Sequence, residues 1–195
     1  MIKKPIRGVG INDADYPVNP VVKGKRVMCP YYCTWKNMIS RCYMEDWKRR
    51  PGIETPYIGC TVVKEWHTFS NFKEWMKSQD WQGKNLDKDL KVPGNKVYGP
   101  DTCIFISPEI NTLISEGSYA KVRDGLKKGV SMDRHRFRAR IKRYGKLHSI
   151  GNFDTEDAAH NAWVVERKKY IREVAEKCEP QVSKMLIKWM ETGVK

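Results

Sequence analysis

Two acids one residue apart, Asp87 and Asp89, flank Lys88 in the stretch LDKDLKVPGNKVYGPDTCIFISPEIN, residues 86–111. Carboxylate and amide oxygens are ligands suited to a hard divalent ion such as Mg²⁺ or Mn²⁺. Pro93-Gly94-Asn95 predicts a turn after the acids, and Cys103-Ile104-Phe105-Ile106 predicts a short strand. Ser107-Pro108-Glu109 then reads as a helix start, with a Ser cap and Pro at the first helical position. The order strand, turn, strand, helix would set Asp87 beside Asn111, in the first turns of that helix. Two oxygen ligands would then share one ion.

The stretch resembles the ββα-metal core of phage HNH homing-type endonucleases, whose pattern is an Asp-His-Asp-like start, a Gly-Asn turn, a Tyr-Ser-Pro-Glu-Asn-Cys-like segment and a helix with a further Asn. The matching residues are Leu86-Asp87-Lys88-Asp89, Gly94-Asn95, Tyr98-Gly99-Pro100-Asp101-Thr102-Cys103 and Asn111. WKNMISRCY, YIGCTVVKEW and FSNFKEWM precede it in the family's order, so the resemblance covers about residues 8–115. It implies metal-dependent nicking of DNA. Asp87 and Asn111 would hold Mg²⁺ or Mn²⁺, and Asp89 would position the ion or a water. Lys88 stands where that family has its general-base His, and Thr102 stands where it has a structural Asn. An exposed ammonium, with a pKa near ~10.4, does not take a proton from water near pH 7. Lys88 would instead neutralise the pentavalent phosphate, or act as a base if burial beside the metal stripped it of water. The missing His motivates a second expectation, a catalytically inactive relative acting as a sequence-specific DNA-binding repressor.

The other chemistry-bearing stretch is Arg136-Phe137-Arg138-Ala139-Arg140-Ile141-Lys142, which alternates strictly. A strand with that pattern turns Phe137, Ala139 and Ile141 to one face and four cations to the other. A turn at Tyr144-Gly145-Lys146 and a strand from Leu147 to Phe153 follow. Asp154 or Thr155 then caps a helix with Glu156 and Asp157 in its first turn. GVS, FRARI, GKLHSIGNFDTEDAA and AW in sequence resemble an AP2-type DNA-binding domain over about residues 129–175. In that family the sheet lies in the major groove. The resemblance implies DNA contacts by Arg134, Arg136, Arg138, Arg140, Lys142, Arg143 and Lys146. Residues 115–172 hold 15 Lys and Arg against 7 Asp and Glu, a surplus of eight. The solvated face of a plain α+β module is the bland alternative. RNA binding is a third reading, disfavoured because few aromatics on the basic face are placed to stack bases.

These stretches need elements to carry them. The chain has 195 residues and a net charge of +14, which favours a polyanionic partner, and the two resemblances imply that it is double-stranded DNA. No run of ~18 apolar residues predicts a membrane span, and the start lacks a signal-peptide core, so a cytosolic protein is expected; by resemblance, its setting is a phage-infected bacterial cell. Residues 1–27 read as an extended arm. Residues 28–114 form the HNH-like domain, 115–128 a linker and 129–195 the AP2-like domain with C-terminal helices. Within the head, Tyr31, Trp35, Met38, Ile39 and Cys42 make a helical stripe, and Phe69, Phe72, Trp75 and Met76 make a second. Lys48, Arg49 and Arg50 sit in a basic loop, and His67 reads as a surface histidine at a helix start. The expected class is α+β: a ββα-metal domain, then a three-stranded antiparallel sheet packed on a helix. Six cysteines in a cytosolic chain predict thiols. Cys29, Cys33, Cys42 and Cys60 leave a four-thiolate Zn²⁺ site as the minority expectation beside small core residues.

Overall fold

A computed structural model describes residues 4–44, 57–119 and 125–193. The basic run Lys48–Arg50 lies outside them. The protein is mixed α and β, and it divides into two compact units, 1–106 and 107–195. Among the described residues no helix is long and apolar enough to cross a membrane.

The first unit is organised by aromatic helix faces. Helix α1 (Pro30–Tyr43) has Pro near its start, where no intrahelical N–H bond is lost, and buries Trp35, Met38 and Ile39. Helix α2 (Phe69–Lys77) buries Phe69, Phe72 and Met76 against them. The Trp35 indole N–H donates to the Trp66 carbonyl at 2.7 Å, so its one polar atom is satisfied inside the core. Three short pairings frame these helices. An N-terminal ribbon pairs β1 (Val21–Val22) with β2 (Lys25–Arg26). β3 (Thr61–Val62) runs parallel to β5 (Val97–Tyr98). β4 (Asn85–Asp87) runs antiparallel to β6 (Ile104–Ile106), with Asp87 opposite Ile104. The segment read as an extended arm is tied to the core. Ile11 bridges Thr68, and Ile6, Val9, Ala14, Tyr16 and Val18 pack against the core. Its scattered apolar residues show no period, so only the tertiary contact reveals their use.

The second unit begins with α3 (Pro108–Tyr119), where the Ser107 hydroxyl accepts from the Ile110 amide at 3.2 Å. Ser115–Tyr119, expected in a linker, is helical. Strands β7 (Val130–Asp133), β8 (Arg136–Arg143) and β9 (Lys146–Phe153) form one antiparallel sheet in sequential order. Helix α4 (Glu156–Ala175) is capped by Thr155, whose hydroxyl accepts from the Ala158 amide at 3.2 Å. It packs across one sheet face, where Ala139, Ile141, Ala159, Trp163 and Ile171 are buried. Gly129 has φ +79°, and a Cβ there would meet the Trp163 ring at 2.1 Å, so the ring needs that position bare. Helix α5 (Pro180–Gly193) packs on α4 and buries Leu186, Trp189 and Met190.

Candidate nucleic-acid interface and the acidic loop

The Asp87-Lys88-Asp89 run leaves β4 and enters a loop held by side-chain bonds. Asp87 Oδ1 accepts from the amides of Asp89 at 2.9 Å and Leu90 at 2.7 Å, closing an Asx-type turn. The carboxyl is buried, and that desolvation, helped by the neighbouring Asp89 charge, pushes its pKa up to about 6 against the pull of the two amides and Lys88. Lys88 turns inward, only 4% exposed. Its ammonium donates to Asp89 Oδ1 at 2.6 Å and the Asn95 carbonyl at 2.8 Å, and lies 5.8 Å from the Tyr98 ring centre. Asn95 closes the loop from the other side. Its amide donates to the carbonyls of Lys88 at 3.2 Å and Val97 at 2.6 Å, and its oxygen accepts from the Val97 amide at 3.1 Å. Thr102 adds a hydroxyl bond to the same Val97 carbonyl at 2.7 Å. The bracing amide expected at position 102 is thus supplied by Asn95.

Mg²⁺ or Mn²⁺ needs several free oxygens converging on one point. In the first unit, one oxygen of Asp87 is committed to backbone amides. Asp89 faces an ammonium that already supplies the local positive charge. Asn111 belongs to the other unit, on α3, where its backbone N–H donates to Ser107 O at 2.9 Å and its backbone carbonyl accepts from the Ser115 hydroxyl at 2.6 Å. The first unit's donors do not by themselves fit a divalent cation. Among the described residues no three His, Cys, Asp or Glu side chains gather as a metal site would require. Cys60 and Cys103 are buried, and Cys29, Cys33 and Cys42 half-buried. Burial pushes the Cys42 and Cys103 thiols up to about 12. His67 Nε2 lies 3.2 Å from both the Tyr43 hydroxyl and the Val62 carbonyl.

The three-stranded sheet presents a different surface. Residues paired across antiparallel strands share a face, so Ser131, Asp133, Arg136, Arg138, Arg140, Lys142, Ser149 and Asn152 all lie opposite α4. Arg136, Arg140 and Lys142 are exposed, and Arg134 stands exposed in the β7–β8 turn with φ +55°. The guanidinium groups are oriented rather than loose. Arg138 ion-pairs with Asp133, and its Nε donates to Asn152 Oδ1 at 3.2 Å. Arg140 donates to the Ser131 hydroxyl at 3.1 Å, and Arg136 pairs with Asp154 at 3.0 Å. Beside the turn an open hollow of about 580 Å³ is lined by Asp133, Arg134, His135, Arg136, Arg138 and Asn152.

Two of the expected contact residues sit elsewhere. Arg143 shares the parity of Phe137, Ala139 and Ile141, and its guanidinium pairs with Glu173 and lies 3.9 Å from Glu166, both on α4. Lys146 is opposite Arg143 in the register, hence on the α4 side, though exposed. The same alternation that identified the outward cations signals both placements. Asp133 and Asn152 were not singled out in the sequence; as single polar residues they gain meaning only once the register sets them beside Arg138.

No protein-family model, curated protein or solved structure matches this chain.

Proposed function

We propose that this chain is a duplex-DNA-binding protein that lays the open face of β7–β9 against the double helix. The observation that carries the reading is the row of cations opposite α4, Arg136, Arg138, Arg140 and Lys142, with Arg134 at its end. A strand face so charged is unfavourable alone and favourable beside phosphates, where bound counterions are released. Arg134, Arg136, Arg140 and Lys142 serve as phosphate contacts, and Arg138 as the residue presented to base edges. Its guanidinium is held by Asp133 and Asn152, which lowers the entropy lost on binding. This reading favours the DNA-binding repressor over the nuclease. Lys88 is fixed between Asp89 and the Asn95 carbonyl.

The test is anisotropy titration of labelled duplex DNA over a range of salt concentrations. Replacing Arg134, Arg136 and Arg140 by Gln should flatten the plot of log affinity against log salt by about 1 per arginine. An unchanged slope and affinity would sink the proposal. A second reading, metal-dependent nicking, draws on one observation: Asp87 is a buried carboxyl with a raised pKa, and such groups concentrate at functional sites.

A further inference from the structure

The first unit carries a cationic element of its own. β1 and β2 form a two-stranded ribbon whose ladder continues to its base, with the Val27 amide donating to Pro20 O at 2.9 Å and the Cys29 amide to Val18 O at 2.8 Å. Val18 and Cys29 pack against the core, which anchors the base. From Pro20 to Met28 every residue is exposed. The tip, Lys23-Gly24, has φ +49° and +76°, the two positive values of a tight hairpin turn. The pairing puts Val21 with Arg26 on one face and Val22 with Lys25 on the other. Alternation sets Val27 on the Val22 face, where the two are 51% and 48% exposed, and no acid occurs between Val18 and Cys29.

A ribbon with both faces bare gains little stability from its own burial. Lysines on an exposed edge discourage strand pairing with other chains, so a second protein strand is a poor occupant. The three cations, Lys23, Lys25 and Arg26, call for an anion that also offers apolar contacts. We infer that this ribbon is a second DNA-contacting element, entering the major groove with its cations on phosphates and with Val22 and Val27, which share one face, against thymine methyl groups. The inference rests on the duplex-DNA reading above. The fit is geometric as well as electrostatic. Two strands ~4.8 Å apart with their side chains match a groove ~12 Å wide and are too broad for one ~6 Å wide.

The experiment uses the full chain and two labelled duplexes of one A·T-rich sequence, the second with deoxyuridine for every thymine. Wild-type protein should bind the thymine duplex about threefold or more tightly, since each methyl contact adds apolar burial. Val22→Ser with Val27→Ser, both on the Lys25 face, should erase that preference, with the melting temperature unchanged. Lys23→Gln, Lys25→Gln and Arg26→Gln together should flatten the salt dependence by about 2 to 3. Arg136→Gln with Arg140→Gln should weaken binding yet keep the thymine preference. Ribbon variants that bind both duplexes as wild type does, while the sheet variant loses affinity, would overturn this inference and leave the sheet reading standing. Failure of the wild-type protein to bind any duplex would overturn both. Unchanged DNA affinity with lost binding to phosphatidylserine vesicles would overturn the DNA assignment of the ribbon. Equal competition by duplex RNA, whose major groove is too narrow to admit a ribbon, would overturn the groove placement.

Discussion

At the scale of single residues, Asp87 is the group most out of keeping with its surroundings. Burial raises its folded pKa to about 6, above the ~3.9 of an unfolded chain. Below about pH 4 the carboxyl is protonated in both states, and it takes nothing from stability. Between about pH 4 and 6 the unfolded chain ionises first, so stability falls as pH rises, and above 6 the whole difference is felt. That difference is on the order of 2–3 kcal/mol. Asp87→Asn keeps an oxygen for the Asp89 and Leu90 amides and removes the charge. Urea unfolding with a chelator present should find the variant more stable than wild type at pH 7.5, with the gap closing below pH 4. An equal gap at both pH values would mean that the buried charge is not its source.

At the scale of elements, the β4–β5 loop is held mainly by Asn95, whose side chain makes three backbone hydrogen bonds. Asn95→Ala should destabilise the first unit by about 1–2 kcal/mol, since each such bond contributes ~1 kcal/mol net and only the one to Lys88 is partly buried. Tryptophan fluorescence during urea unfolding would measure it; a change under ~0.5 kcal/mol would show that the Asp87, Lys88 and Thr102 bonds hold the loop without the Asn95 side chain. Elements with a local cause were legible in the sequence. The parity of β8, the Ser107 and Thr155 caps and the stripes of α1 and α2 follow from neighbours within a few residues. Elements fixed by distant partners were not. The packing of residues 6–18 depends on the Thr68 bridge and the aromatic core. The extent of α3 ran against its own composition, because Gly117 and Ser118 are weak helix formers. The acidic loop was half legible: its carboxylates were visible, but the inward turn of Lys88 was not, since a lysine between two acids looks like a solvated one.

At the scale of the whole molecule, binding and cleavage ask for different things, and the proposed function rests on the first. Binding needs a charge surplus spread over a surface, and a net +14 with oriented arginines on the sheet supplies it. Hydrolysis of a phosphodiester needs a group that takes a proton from water and a positive centre at the leaving oxygen. Lys88 has its ammonium bonded at 2.6 and 2.8 Å to acceptors of the loop, and His67 has its Nε2 engaged with the Tyr43 hydroxyl and the Val62 carbonyl. Supercoiled plasmid incubated with the protein and Mg²⁺ or Mn²⁺ should therefore be retarded in a gel yet remain supercoiled after the protein is stripped away. Lys88→Met should leave that outcome unchanged, and its effect should fall on loop stability, because it strands Asp89 without its partner. Open-circle product that depends on the metal and disappears in Asp87→Ala would reverse the conclusion. It would require the acids to be reorganised around an ion when DNA is bound, with Asp87 released from the Leu90 amide.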